Sequence, residues 1–431
     1  ADDFAYLIRH SGAKLVCAAP EHFDLVDGLR ASLPEVQHYV ALEGARDGWL
    51  DYEALIEQSD GLFPQTALDE NALIAINYTS GTSYRPRGVM LTHRGVWTNA
   101  VGCLLHWPLG VHDRYLWTLP LFHGNGWGFV WTVTAAGATH VCVRDTATAA
   151  LAERVVRERV TTLSAGKTAL ILIANCPTEL RARLPRGVRV LTAGASPSAS
   201  TIAQVERELG WDVTHAYGLT ETSPFVAVCD VQTLAADGSD RQRARFKARQ
   251  GTELLTSGEL RVVDEEGQDV PRDGAAIGEI VLRGPVVMQG YYRDEEASAR
   301  AFAGGWFHTG DAAVMHSDGF IEIKDRFKDI IISGDEIISS IEIEDVLMRH
   351  PAVFEVAVVG RPHEELGESA QAYVVARAGM LTSVAEMLAF VREMLAPFKV
   401  PTRIHCVPAL PKTATGKVLK NQLRTDGAVQ S

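Results

Sequence analysis

Short apolar runs alternate with amphipathic stretches along most of this chain. The runs at 14–18, 73–76, 116–120, 161–165, 188–192 and 212–215 have the length of buried strands. Between them, 147–160 and 200–209 carry apolar residues at helical spacing, and a further helix is predicted from Val96 onward. Residues 1–20 read as a helix followed by the first strand, and 20–70 as amphipathic helix and loop in alternation. Repeated strand–loop–helix units predict an α/β fold with a largely parallel sheet, in which ligands sit at the loops beyond the C-terminal ends of the strands. From about 258 the texture changes. Alternating segments at 258–263, 278–283, 306–311 and 319–324, separated by turn signals such as Arg272-Asp273-Gly274, predict a small β subdomain over about 258–327. A dense charge cluster follows, Asp325-Arg326-Phe327-Lys328-Asp329. Beyond it a helix at 340–349, strands at 353–359 and 371–376, and a helix at 383–395 predict a separate small α+β domain. The expected organisation is a large multi-subdomain region over 1–327 and a small C-terminal domain over 328–431.

The chain has 431 residues, more than one ordinary core accommodates. A formal charge of −13, from 41 basic and 54 acidic residues, excludes a general nucleic-acid or membrane-surface binder and leaves room for a local basic pocket. The cysteines are scattered without metal-like pairing, as expected of free thiols in a reducing cytoplasm. The longest stretch free of Asp, Glu, Lys and Arg, 115–143, contains Pro120, two histidines and several glycines, which makes it a core segment rather than a membrane span. No secretory signal opens the chain, and it begins inside an α/β unit, so a preceding part is expected to be missing.

Candidate chemistry lies in the loops. Thr79, Ser80, Gly81, Thr82 and Ser83, with Arg85 and Arg87 behind them, follow the strand at 73–76. Strand, hydroxyl-rich loop and helix form the layout of a phosphate cradle, in which hydroxyls and backbone N–H groups face anionic oxygens. Taken alone, a polar surface turn explains the same residues equally well. The Gly-Lys-Ser/Thr ending of a Walker A loop is absent. His123-Gly124-Asn125-Gly126-Trp127 follows the strand at 116–120 and would let an imidazole and bare backbone approach a ligand, although a core histidine is the commoner explanation. Lys167 follows the strand at 161–165, in a place where an apolar residue would be unremarkable.

Six stretches in this order resemble the adenylate-forming superfamily of acyl-CoA synthetases, luciferases and peptide-synthetase adenylation domains: the cradle, 193–196, 217–222, 306–311, 325–329 and 411–417. The texture of 121–127 and 302–322 is similar to the medium-chain acyl-CoA synthetase branch. The resemblance implies ATP- and Mg²⁺-dependent activation of an organic acid as its acyl adenylate, with release of pyrophosphate. It implies that the cradle, Arg87 included, binds the β- and γ-phosphates. Tyr217, followed by Gly218, stacks on adenine, with Gly194, Ala195 and Ser196 lining the other side. Thr220 contacts the α-phosphate, Glu221 holds Mg²⁺, Asp311 accepts the ribose hydroxyls and Arg326 supports ribose and phosphate. Lys417 bridges substrate carboxylate and α-phosphate, with His123 beside the chemistry. Lys328 is the hinge about which the C-terminal domain turns between half-reactions. Gly124, Asn125, Trp127 and Lys167 are implied to line the acid pocket. The partners implied are a small organic acid, polar or aromatic, and ATP, with no nucleic acid and no membrane, in a cytoplasmic monomer or homodimer.

Four departures leave the acceptor open. Tyr84 and Arg87 stand where the family carries Gly and Lys. Asp335 brings a carboxylate to a loop that borders the pantetheine channel and would oppose formation of a thiolate there. Lys167 replaces a proline, and would either pair with a polar acid or point to solvent. About a hundred family residues are missing before the cradle. Transfer of the adenylate to CoA leads by a small margin. Close behind stands CoA-independent transfer to an amine, as in an amide-forming ligase or a diazotase activating nitrite. A nucleotide-binding pseudo-enzyme is the weaker third reading, opposed by the retained Thr220, Glu221, Asp311, Arg326 and Lys417.

Overall fold

The computed structural model describes residues 2–63, 66–79, 86–194, 197–229, 239–334, 336–380, 383–413 and 416–425. They belong to two compact units, Ala1–His93 with Gln289–Glu295, and Arg94–Met288 with Glu296–Ser431.

In the first unit, strands Leu15–Ala18, His38–Ala41 and Leu50–Asp51 pair in parallel. Phe23, Val26 and Ala41 form a small core against which Trp49 packs. The stretch read as strand, loop and helix is built differently. Strand Leu73–Thr79 turns back into a second, antiparallel strand, Arg87–Thr92, with Thr79 opposite Arg87. Only then does helix His93–His106 begin. The second strand was hidden because 87–92 was assigned to the cradle, yet Val89 and Leu91 alternate in the buried positions a half-buried strand requires. The segment 289–295 lies along this hairpin, with Met90 N–H donating to Gly290 O at 3.0 Å and Tyr292 N–H to Gly88 O at 2.7 Å.

The second unit is organised around a sheet that runs, among the described residues, Thr252–Glu253, Phe225–Val228, Asp212–Gly218, Arg189–Thr192, Thr162–Ser164, Arg114–Trp117, Thr139–Val141. From Asp212–Gly218 outward the pairing is parallel, as predicted, whereas Phe225–Val228 and Thr252–Glu253 add an antiparallel edge. Both faces are covered. Leu163, Val190 and Val213 pack with Leu151, Val155, Ile202 and Val205 of the flanking helices. Leu191 and Ala216 point the other way, onto Phe129 and Phe225. The strand expected at 116–120 is shifted to Arg114–Trp117, since Pro120 cannot donate to a ladder.

An antiparallel sheet, Glu259–Val263, Gly278–Arg283, Phe307–Met315 and Ile321–Arg326, forms the expected β subdomain. Strands Val353–His363 and Gly367–Ala376 carry the last sheet, with helices Ser340–Leu347 and Val384–Arg392 closing its core around Ile343, Leu347, Val358 and Met387. Helix Ser340–Leu347 starts at Ser339, whose hydroxyl accepts from Glu342 N–H.

Candidate active site

Asp311 lies at the centre of the second unit's polar site. It sits inside strand Phe307–Met315 rather than in a loop, opposite Arg326 in register. The cross-strand pair closes with Arg326 Nε 3.1 Å from Asp311 Oδ1. The other oxygen, Oδ2, accepts the Tyr217 hydroxyl at 2.8 Å. Tyr217 is buried near the end of strand Asp212–Gly218, so its ring is fixed from both ends. Asp311 is 4% exposed. Burial raises its pKa above the ordinary value, against the opposing pull of Arg326 and the Tyr217 donor.

Lys417 completes a set of cations at this carboxylate. Burial lowers its pKa to about 8, and Arg326 and Lys328 push the same way, against Asp311 and Asp329. Lys417 as a residue is nonetheless exposed, so water reaches it. Burial lowers the pKa of His123, and the charge of Lys417 pushes the same way. Lys328, in the turn Phe327–Asp329, is lowered by burial and by Arg326. Glu221, in the turn Thr220–Thr222, lies within charge range of Arg326. That turn is pinned by Leu219 N–H donating to the Thr222 hydroxyl at 2.9 Å, and by Met288 N–H donating to Glu221 O at 2.7 Å. Gly218 precedes it because a Cβ there would lie 1.9 Å from Pro224 O.

The segment after the strand Arg114–Trp117 is a left-handed turn. Gly124, Asn125, Gly126, Trp127 and Gly128 all have positive φ, and Trp127 N–H donates to His123 O at 3.0 Å. A tryptophan at φ 52° is strained, which fits the clustering of backbone strain at binding sites. The turn sets the Trp127 ring against Phe225, 6.2 Å between centroids, with Trp127 Cζ2 3.5 Å from the place a Cβ on Gly194 would occupy. His123, Trp127, Gly194, Tyr217, Glu221, Asp311, Arg326, Lys328 and Lys417 thus belong to one connected neighbourhood of the second unit.

Thr79 and Arg87 close the hairpin in the first unit. Arg87 Nε lies 3.6 Å from Asp294 Oδ2, and its guanidinium sits 5.4 Å from the centre of the Tyr291 ring. The hairpin mouth is braced by helix Asp2–Ser11, from which the Tyr6 hydroxyl donates to Pro86 O and His10 Nδ1 meets the Tyr78 hydroxyl at 2.8 Å. Ser80, Gly81, Thr82, Ser83, Tyr84, Arg85, Ala195, Ser196 and Asp335 lie outside the described residues.

Lys167 opens helix Lys167–Ala174, and its amine lies 3.8 Å from Glu344 Oε2. Its carboxylate partner therefore comes from the chain itself. Sequence reasoning missed this pair, the Tyr217–Asp311 bond and the Arg87–Asp294 pair. Each joins residues far apart in sequence, and no local motif announces them.

Among the described residues no three His, Cys, Asp or Glu side chains converge as a metal cage. A Mg²⁺ shared with substrate phosphates needs only one or two carboxylates, and Glu221 is a carboxylate in this neighbourhood. No described helix is long and apolar enough to cross a membrane.

Comparison with known proteins matches residues 1–292 to the AMP-binding enzyme family and 342–417 to the AMP-binding enzyme C-terminal domain. The peroxisomal trans-cinnamate:CoA ligase of Petunia hybrida is 36% identical over 445 residues, covering 98% of this chain and 78% of the relative. The peroxisomal acetate/butyrate–CoA ligase of Arabidopsis thaliana is 39% identical, with the same coverage. Among solved structures, the amide bond synthetase McbA from Marinactinospora thermotolerans superposes with a TM-score of 0.85 at 26% identity, covering 98% of this chain and 82% of that one.

Proposed function

The chain belongs to the AMP-binding enzyme family, and from that premise we propose that it is an AMP-forming acid–CoA ligase whose adenylation chemistry is carried by Lys417. The observation that carries the reading is the convergence of Lys417, Arg326 and Lys328 on the Asp311–Tyr217 pair. The three cations gather at Asp311, with Asp329 and Glu221 in charge range as further carboxylates, and would offer positive charge to the α-phosphate and the acid's own carboxylate. In the step proposed, a carboxylate oxygen of the acid bonds to the α-phosphorus of ATP. The bond from that phosphorus to the β-phosphate bridge breaks, and pyrophosphate leaves with its electron pair. Lys417 holds the two negative groups together while charge builds on the phosphoryl oxygens. Asp311 is placed to accept the ribose hydroxyls with the lone pairs that Tyr217 and Arg326 leave over. Glu221 would hold Mg²⁺, which neutralises phosphate charge when bound. Ser80 to Ser83 and Arg87 would bind the outer phosphates, Gly194 would line the adenine, and Trp127 with Gly124 and Asn125 would line the acid. We also assign residues 328–431 to a domain that turns about Lys328.

CoA is the proposed acceptor, supported by relatives named as CoA ligases. Transfer to an amine is the second reading, supported by the fold shared with an amide bond synthetase. A cytoplasmic site is consistent with the free cysteines, and cell fractionation separates it from the peroxisomal location that the plant relatives' names give. The test of the chemistry is Lys417→Ala. Acid-dependent pyrophosphate release should disappear, while transfer from a supplied acyl adenylate to CoA continues. Normal pyrophosphate release in this variant would remove Lys417 from the step. Absence of thioester from the supplied adenylate, with amide formed from an amine instead, would replace CoA ligation by the second reading.

A further inference from the structure

Helix Lys167–Ala174 is sandwiched between two cores. Leu170 and Ile173 face the parallel sheet, packed with Leu163 and Ile202. Ile171 points the other way, into the C-terminal core with Ile343, Val356 and Met387. Lys167, Ile171 and the C-cap residue Asn175 are four residues apart and so share one helical face. All three touch the C-terminal region. Lys167 pairs with Glu344 at 3.8 Å, Ile171 is 3% exposed in that core, and the Asn175 side-chain oxygen accepts from the Arg377 guanidinium.

The contact at Lys167 leads towards the chemistry. Glu344 Oε1 also accepts from Lys420 at 2.8 Å and from Val358 N–H at 3.0 Å. Lys420 donates to the Ser340 hydroxyl, whose N–H and hydroxyl in turn donate to Asp325 Oδ2 at 2.7 and 2.6 Å. Asp325 precedes Arg326, and Lys420 follows Lys417 by three residues. One polar chain thus runs from Lys167 through Glu344, Lys420 and Ser340 to Asp325, whose Oδ1 accepts from Arg326 N–H at 2.8 Å. Lys420 already satisfies Glu344, so Lys167 is not needed to keep that carboxylate paired within the C-terminal fold.

We propose that the face Lys167–Ile171–Asn175 is the seat on which the C-terminal domain docks to bring Lys417 to Asp311, and that Lys167 is a positioning residue for adenylation. This rests on the adenylation reading above. A cation on this seat gives the docked arrangement an ionic contact that is lost when the domain turns away. Removing it weakens docking without touching the nucleotide site or the acid.

The variants are Lys167→Leu, which removes the charge, and Lys167→Arg, which restores it. In acid-dependent ATP–pyrophosphate exchange, Lys167→Leu should lower kcat about fivefold, the worth of one partly buried ion pair, with KM for ATP unchanged. Lys167→Arg should recover most of the rate, and conversion of a supplied adenylate should not slow. Wild-type exchange in Lys167→Leu, or equal losses in both half-reactions, would overturn the proposal. A second measurement needs no substrate. Amide hydrogen exchange over residues 171–176 should be faster in Lys167→Leu than in wild type. Equal protection would remove the seat whatever the enzyme's acid. A wild type that forms no adenylate with any acid, yet shows the exchange difference, would end the activity reading and leave the seat standing.

Discussion

Replacing Tyr217 by phenylalanine deletes one oxygen and keeps the ring, so it isolates the hydroxyl that binds Asp311 Oδ2 at 2.8 Å. The acceptor is a buried carboxylate whose other oxygen is held by Arg326. A hydrogen bond to a charged group of this kind is worth about 1.5–3 kcal/mol, and the phenyl ring leaves no cavity to add to the loss. The cost depends on pH, and its sign follows from the direction of the Asp311 shift. Burial already raises this carboxyl's pKa, so the folded state binds the proton more readily than the unfolded chain. Stability therefore falls as pH rises from the ordinary carboxyl range through the raised value. Removing the Tyr217 donor raises the pKa further. The extra penalty is thus full where Asp311 is ionised and shrinks as pH falls towards the raised pKa. Thermal unfolding at about pH 7.5 should show the variant's midpoint a few degrees below wild type, and the gap should narrow at about pH 5. A gap that is absent, or equal at the two pH values, would refute the reasoning, because an uncharged acceptor cannot distinguish them.

Two further expectations concern neighbouring residues. Lys417 must carry its proton to bridge two anions, and its pKa in the free enzyme is lowered to about 8. A plot of kcat/KM for ATP should therefore fall as pH rises above about 8, and Lys417→Arg should abolish that limb; an unchanged limb in the arginine variant would assign it to another group. Gly218→Ala would place a methyl 1.9 Å from Pro224 O, a clash with backbone that cannot be relieved by a side-chain rotation. The thermal midpoint should drop, and AMP affinity should fall with it as Tyr217 and Thr220 shift; a calorimetric titration indistinguishable from wild type would show that the turn has room after all.

What the sequence revealed and what it hid follow the range of the interactions concerned. The parallel strands at 188–192 and 212–215 were legible because both faces of such strands are buried, leaving continuous apolar runs. The β subdomain was legible from alternation and turn residues. Lys417, Arg326 and Asp311 were singled out because a resemblance gave them roles that periodicity could not. The strand Arg87–Thr92 was missed because a polar loop and a short half-buried strand share glycine and arginine, and the loop reading had claimed them. Tyr217 was assigned to adenine from the resemblance, while the bond its hydroxyl makes to Asp311 spans 94 positions and has no local trace. Lys167 looked anomalous for a pocket-lining position, and the anomaly was informative. Its partner, Glu344, simply lies on another helix, in a part of the chain the sequence reading had treated as a separate domain.

The charge arrangement itself carries the last step. Burial lowers the pKa of both lysines, and the repulsion among Arg326, Lys328 and Lys417 adds to that cost. Asp311 and Asp329 offset only part of it, because Arg424 also claims Asp329 at 2.8 Å. A fold optimised for stability alone would separate such cations or pair each of them. Keeping them together is a cost that the ATP proposed above would offset, since its negative charge would favour the protonated lysines as it binds. The same logic explains why Lys167 and Lys420 crowd around Glu344 nearby. There the anion is built into the chain, and its carboxyl is held below the usual range despite its burial because Lys420 and Lys167 lie beside it. The lysines at Glu344 share a buried carboxylate of the fold, whereas Asp311 and Asp329 offset the Arg326, Lys328 and Lys417 cluster only in part, as expected if the proposed ATP completes its pairing.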